Sequence, residues 1–272
     1  MLSAAPASRR FVPPARGQVP APCWQHPLLG PFAAWQGVLQ APEWPPMAVL
    51  NAALPVAGKC FVAQDAALLA DGLHYEQRIA QGRIATRPQN WHDLFNALVW
   101  GRYPSLKQAL NARQCAAIAA MGLRQRNAAQ QALTQFDESG LVLRVRDAGV
   151  LGAWDRHDWR GVFVDHAAAW QRGDIAVAAC FGHALLEQCL LPGRLLVGKA
   201  LVVQAADDAA AIAQVAAAIA QGRVLQAAAE LRPLPLAGIP GWHAGQDAAF
   251  YAQAGYFRPL RPGRVYPPLL AG

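Results

Sequence analysis

A chain of 272 residues that is 54% hydrophobic and only 15% charged can bury a substantial core, which excludes a disordered protein. Mean hydropathy is only +0.13, and no run of about 18 apolar residues lacks a charge or a turn former, which excludes a membrane span. The 24 Lys+Arg against 17 Asp+Glu give a net charge of +7 and lean toward an anionic partner, but Arg9, Arg10, Arg16, Arg258, Arg261 and Arg264 lie near the two ends. No dense basic block lies between them, as a nucleic-acid stripe would require.

Residues 1–27 are rich in Pro, Ala and Arg without periodicity, and predict a flexible tail preceding a single domain over 28–272. Ser8-Arg9-Arg10-Phe11 superficially suggests an export signal, but Pro13, Pro14, Arg16 and Gly17 replace the apolar stretch it would need. The expected location is therefore the cytoplasm. Helices are expected over 32–40 and 47–54, broken by Pro42, Pro45 and Pro46, with a short strand over 60–64. Residues 75–86 read as a hairpin, because Tyr75, Gln77 and Ile79 alternate with Glu76 and Arg78 and Gly82-Arg83 can turn. Asn90 then caps a strongly apolar helix with Asp93 three residues on, in the manner of a capping box. Pro104 opens a second helix that reaches Gly122, and a third runs from Leu123 to Phe136.

A strand is expected over 141–145, a helix over 155–171, and either a strand or a helix start over 175–179. A helix over 181–190, a strand over 200–204 and an Asp-capped helix from 207 or 208 to 222 follow. The Pro-rich last 40 residues should wrap the surface, with one short helix near Phe250. The sum is an α+β, helix-dominated single globular domain with a small sheet and Pro-rich terminal segments. The five cysteines are scattered singly, as reduced core residues would be rather than a disulfide framework or a zinc cage.

Four polar motifs stand out against apolar surroundings. His92 and Asn96 share one face of the helix that Asn90 caps, and Lys107 and Asn111 repeat that spacing on the next. They are either core hydrogen-bonding groups or a general base with its orienting amide and a pair of substrate-binding groups. Asp137-Glu138-Ser139-Gly140 is either ordinary turn chemistry, with glycine at positive φ, or a carboxylate pair able to act as acid and base or hold a hard cation. His183 and Glu187, one helical turn apart, have the spacing of two ligands to one metal. His157, Asp158, Asp165 and His166 read as a solvated face. No serine sits in G-x-S-x-G and no glycine-rich phosphate loop occurs, which excludes the commonest serine hydrolases and nucleotide folds.

The segments Asn90–Trp100 with Tyr103-Pro104, Lys107 and Leu110-Asn111, then Leu133-Thr134 with Phe136–Gly140, then Phe181-Gly182-His183-Ala184 with Glu187, together resemble a bacterial family, domain of unknown function 3025. Gly238-Ile239-Pro240-Gly241-Trp242, Phe250-Tyr251 and Phe257-Arg258-Pro259 extend the resemblance over most of the chain beyond residue 30. It implies one module and assigns no activity.

The residues themselves point to a metal-assisted hydrolase of an anionic, phosphoester-type substrate. His92, Asp93, Asp137 and Glu138 are its catalytic candidates, with Asn96, Lys107 and Asn111 as substrate-binding groups. His183, Glu187 and His92 are the candidate ligands of a divalent metal ion. The alternative is a non-catalytic module that binds an anionic ligand or nucleic acid, its polar groups forming a structural network.

Overall fold

A computed structural model of the chain describes residues 11–123 and 125–271. Helix outweighs strand, 48% to 13%, in an α+β arrangement with two small sheets. None of the described helices is long and apolar enough to cross a membrane.

The first sheet pairs β1 (Cys60–Ala63) with β2 (Arg83–Thr86) in parallel, Cys60 opposite Arg83 and Ala63 opposite Thr86. Parallel neighbours cannot be joined by a tight turn, so the connection must cross over. Helix α1 (Tyr75–Ala80) is part of that crossover, which corrects the hairpin expected over 75–86. The deciding signal is His74, whose side chain accepts from the start of the helix while Gln77 bonds back to the His74 N–H. Asp71 accepts from Arg78 Nε and Nη2 and from Leu73 N, and Arg83 lies 3.2 Å from its second oxygen, clipping α1 to β2.

Helix α2 (Trp91–Arg102) is buried on almost every side, and α3 (Pro104–Met121) ends at Gly122 with φ +80°. Asn90 caps α2 as expected by accepting from Asp93 N. The Asp93 carboxylate does not complete the box, because it turns to Arg87. Helix α4 (Ala128–Ser139) starts later than expected, at an Asn127/Gln130 capping box, and runs further.

The second sheet has the order β4 (Ile175–Cys180), β3 (Gly140–Val145), β5 (Val197–Gln204), β6 (Arg232–Pro235). β3 is antiparallel to β4 and parallel to β5, and β6 closes the edge antiparallel to β5. β3 is buried along its whole length. Short α5 (His183–Gln188) follows β4, and α6 (Asp208–Ala220), capped by Asp207, packs on α3 and the sheet. The strand β6 was not expected in the Pro-rich end. The continuous helix expected over 155–171 is instead broken at His157, whose φ of +54° no helix interior accommodates. His157 bonds Tyr266 Oη and lies beside the Arg258 carbonyl, so it braces the C-terminal chain rather than a solvated face.

Of the segment expected as a tail, residues 1–10 lie outside the described residues. From Phe11 onward the chain is held against the body: Trp91 Nε1 donates to Pro14 O, Arg16 Nε donates to Ala41 O, and the Arg16 guanidinium stacks on Trp44 and Trp91. Loose periodicity hid this, because the contacts are made by one cation and scattered aromatics rather than a repeating apolar face. All five cysteines are free thiols.

Candidate metal centre

The antiparallel register of β3 and β4 assembles the site. Leu141 pairs with Cys180, so Gly140 and Phe181 face each other just beyond, and Phe181 N and Gly182 N both donate to Gly140 O. The last turn of α4 and the first turn of α5 therefore abut. Gly182 permits that approach, since a Cβ there would meet the backbone of Ser139 and Gly140. Asp137-Glu138-Ser139 close α4 as helix, and Gly140 has an extended φ of −74°, which corrects the turn reading with glycine at positive φ. α5 also packs on the first turns of α2, carrying His183 to His92.

Three elements thus bring His92, Glu138 and His183 together. The two Nε2 atoms are 2.9 Å apart, and Glu138 Oε2 lies 3.8 Å from that of His92 and 3.7 Å from that of His183. A point equidistant from three atoms at separations of 2.9, 3.7 and 3.8 Å lies about 2.0 Å from each, the length of a zinc–imidazole or zinc–carboxylate bond. These three ligand atoms are the one such group found among the described residues.

The other ring nitrogens face carboxylates. His92 Nδ1 is 3.4 Å from Glu187 Oε2, and His183 Nδ1 is 3.9 Å from Asp137 Oδ2. A carboxylate hydrogen-bonded behind an imidazole holds the proton on Nδ1 and turns the Nε2 lone pair outward, as Glu187 does for His92. His183 Nδ1 is buried without a hydrogen-bond partner among the described residues, so Asp137 acts on it through charge alone. Asp137 is itself fixed by Lys107 Nζ at 2.6 Å, and that ammonium lies 5.5 Å from the ring centres of both Trp100 and Phe181. Glu187, expected as a ligand, lies outside this three-atom group, against His92 Nδ1, whereas Glu138, expected as a catalytic carboxylate, lies within it.

Protonation follows these surroundings. Burial lowers the pKa of His183 to about 3, against the pull of Asp137, so its imidazole is neutral at ordinary pH. At His92 burial also opposes charge, but the Glu187 hydrogen bond and the Glu138 and Glu187 charges outweigh it and raise the pKa. Burial raises Glu138 despite His92. Asp137 is lowered, because Lys107 and His183 more than offset its burial.

The remaining predicted residues line one cavity of about 360 Å³ with the histidines. Asp93 does not join the ligand group; it accepts from Arg87 N, Nε and Nη2 at 2.6–3.1 Å, a geometry set by the turn at Gln89, φ +53°. Asn96 Nδ2 donates to Tyr75 Oη and leaves Oδ1 buried without a partner among the described residues. Asn111 Nδ2 donates to the Glu76 carbonyl and carboxylate. Lys107, expected to meet substrate, is engaged by Asp137.

Sequence reasoning missed Tyr75, Glu76 and Arg87 as cavity residues. Burial pushes the Glu76 carboxyl up, with Asn111 opposing, and it joins no salt bridge among the described residues. The available signal was the need of buried Asn96 and Asn111 for partners on a neighbouring element, obscured once 75–86 was read as a hairpin.

No curated protein and no solved structure matches this chain. The sequence pattern of the family described as "Protein of unknown function (DUF3025)" matches residues 60–261, a span that holds His92, Glu138, His183 and their carboxylate partners, and the chain belongs to that family.

Proposed function

We propose that this protein is a metal-dependent hydrolase acting on an anionic, phosphoester-type substrate. The observation that carries the proposal is the common point about 2.0 Å from His92 Nε2, His183 Nε2 and Glu138 Oε2. Two imidazoles with one carboxylate suit zinc or a neighbouring transition metal better than magnesium or calcium, which prefer oxygen. Such an ion, when bound, lowers the pKa of a coordinated water and supplies positive charge at the reacting centre.

The protein's own groups would prepare that chemistry. Burial keeps His183 neutral with its lone pair available, and Glu187 takes the His92 Nδ1 proton as a hydrogen bond so that Nε2 faces the site. Of the cavity's Lys and Arg side chains, Arg126 is the one with no carboxylate partner among the described residues and would meet a substrate's negative charge, since Arg87 is paired with Asp93 and Lys107 with Asp137. Glu76, in the same lining and pushed toward its neutral form, is the carboxyl suited to hand a proton to a leaving group.

The experiment is hydrolysis of aryl phosphate mono- and diesters by the full chain, before and after chelation and re-addition of zinc or manganese. The expected outcome is activity lost on chelation, restored by metal and absent in Glu138→Gln. Glu76→Gln should retain metal and lose about 10²-fold or more in kcat. Activity unchanged by chelation and by Glu138→Gln would overturn the reading.

A second reading rests on the same 2.9 Å contact, which is also a sound N–H···N hydrogen bond between two imidazoles. The constellation would then be a structural network in a module binding an anionic ligand or nucleic acid. It predicts metal-free protein, with a stability loss of about 1–3 kcal/mol in His183→Ala.

A further inference from the structure

A second cavity, of about 620 Å³, lies on the outer face of β5 and β6. Its floor is made by Val197 and Lys199 of β5 and their cross-strand partners Pro235 and Pro233. Lys199, Arg258, Arg261 and Arg264 converge on this hollow, and no carboxylate lines it. None of the four joins a salt bridge among the described residues.

That arrangement needs an explanation. Like charges gathered round a half-buried ammonium repel one another, and burial together with Arg264, Arg261 and Arg258 lowers the pKa of Lys199. Several buried cations elsewhere have a carboxylate partner, Arg144 with Asp208, Arg232 with Asp155 and Arg78 with Asp71. Cations without one, such as Arg16, Lys59 and Arg113, stand singly on a backbone carbonyl instead of gathering in one hollow. Here the counter-charge is left for something else to bring.

The side chains are also partly preset. Arg264 lies over the Tyr266 ring at 4.5 Å and reaches Leu231 O, while Arg258 Nε reaches Gly255 O, and the other guanidinium donors are left for a ligand. Gln135 of α4 lines the same cavity, with its Oε1 buried and unpartnered among the described residues.

We infer that this cavity binds a small phosphate-bearing molecule of nucleotide size, its phosphates on Lys199, Arg258, Arg261 and Arg264 and its body on the apolar floor. Guanidinium groups match phosphate oxygens bidentately, and the volume is that of a small-molecule pocket. The cations converge on one hollow instead of running in a stripe, which favours a small ligand over a nucleic-acid strand. The site uses none of the histidine-site residues, so it stands or falls independently of the hydrolase reading.

The test is calorimetric titration of the full chain with ADP and with pyrophosphate at low and high salt. Arg258→Gln, Arg261→Gln, Lys199→Gln and His183→Ala are compared with wild type. Saturable 1:1 binding is expected, weaker at high salt. It should fall about tenfold or more in each cavity variant and persist in His183→Ala. Arg258 and Arg261 are exposed, so those two variants decide the matter if Lys199→Gln does not fold. No saturable binding of either probe would overturn the inference, as would equal binding in the arginine variants or loss in His183→Ala. So would binding confined to oligonucleotides and strengthening with their length.

Discussion

Two imidazole Nε2 atoms 2.9 Å apart cannot both carry a proton, and the surroundings of the two rings differ. His183 is enclosed and neutral, whereas His92 keeps partial exposure and two carboxylates. Either a single proton or a metal ion can lie between them; the carboxylate of Glu138 at nearly equal distance from both suits the ion better. Behind them, Lys107 is the residue whose loss should be felt most. In Lys107→Met the stem is kept but the Asp137 carboxylate loses its cation. Breaking a buried pair in this way should cost about 3 kcal/mol, at the low end for such pairs because the Asp137 side chain is 25% exposed. Chemical denaturation checks the value, and adding Asp137→Asn should recover part of the loss; full additivity of the two changes would contradict the coupling. The candidate residues were visible in the sequence, His92 and His183 as polar groups in apolar helices and Glu138 as one of a carboxylate pair before a strand. Their roles were not. Asp93 and Glu187 carry the same chemistry as Glu138, and only the direction of each side chain separates a member of the His92–Glu138–His183 group from a partner of Arg87 or of His92 Nδ1.

Among the elements, helices with capping residues and apolar faces were read correctly from local signals, including α2, α3 and α6. The two strands misread or missed share a cause: β2 pairs with a strand some 20 residues earlier, β6 with one about 35 earlier, and neither pairing leaves a local mark. The Asp71–Arg78 clip that replaces the imagined hairpin makes a pH prediction. Hydrogen bonds from Arg78 and Leu73 lower Asp71 from 3.8 to about 2, so its contribution to stability is complete above pH 3.8 and lost as pH falls through 2. Thermal unfolding followed between pH 5 and 2 should therefore fall less steeply in Asp71→Asn than in wild type; parallel curves would contradict the clip. Where α4 meets α5, Gly182→Ala forces a Cβ against the Ser139 and Gly140 backbone. The expected loss is about 1–3 kcal/mol, with weakened metal binding as Glu138 and His183 are pushed apart. Unchanged melting temperature and metal content would show that this junction does not need the close approach.

On the scale of the molecule, α4 is the hinge of the account. Its last turns supply Asp137 and Glu138 to the histidine site, and Gln135 lines the cationic cavity. The net charge of +7 suggested an anionic partner without saying where. In space, part of the excess is concentrated because residues 258–264, dispersed at the chain's end in sequence, fold over β5 beside Lys199. Composition could not show that. The metal centre is tested by elemental analysis of the full chain purified without an affinity tag and equilibrated with zinc, beside His183→Ala and Glu187→Gln. Near one ion per chain is predicted in wild type and none in His183→Ala. An affinity lower by about 10–100-fold is predicted in Glu187→Gln, which loses only the carboxylate behind His92. Wild-type protein that takes up no zinc while His183→Ala stays folded would contradict the account and leave the two histidines as a hydrogen-bonded pair.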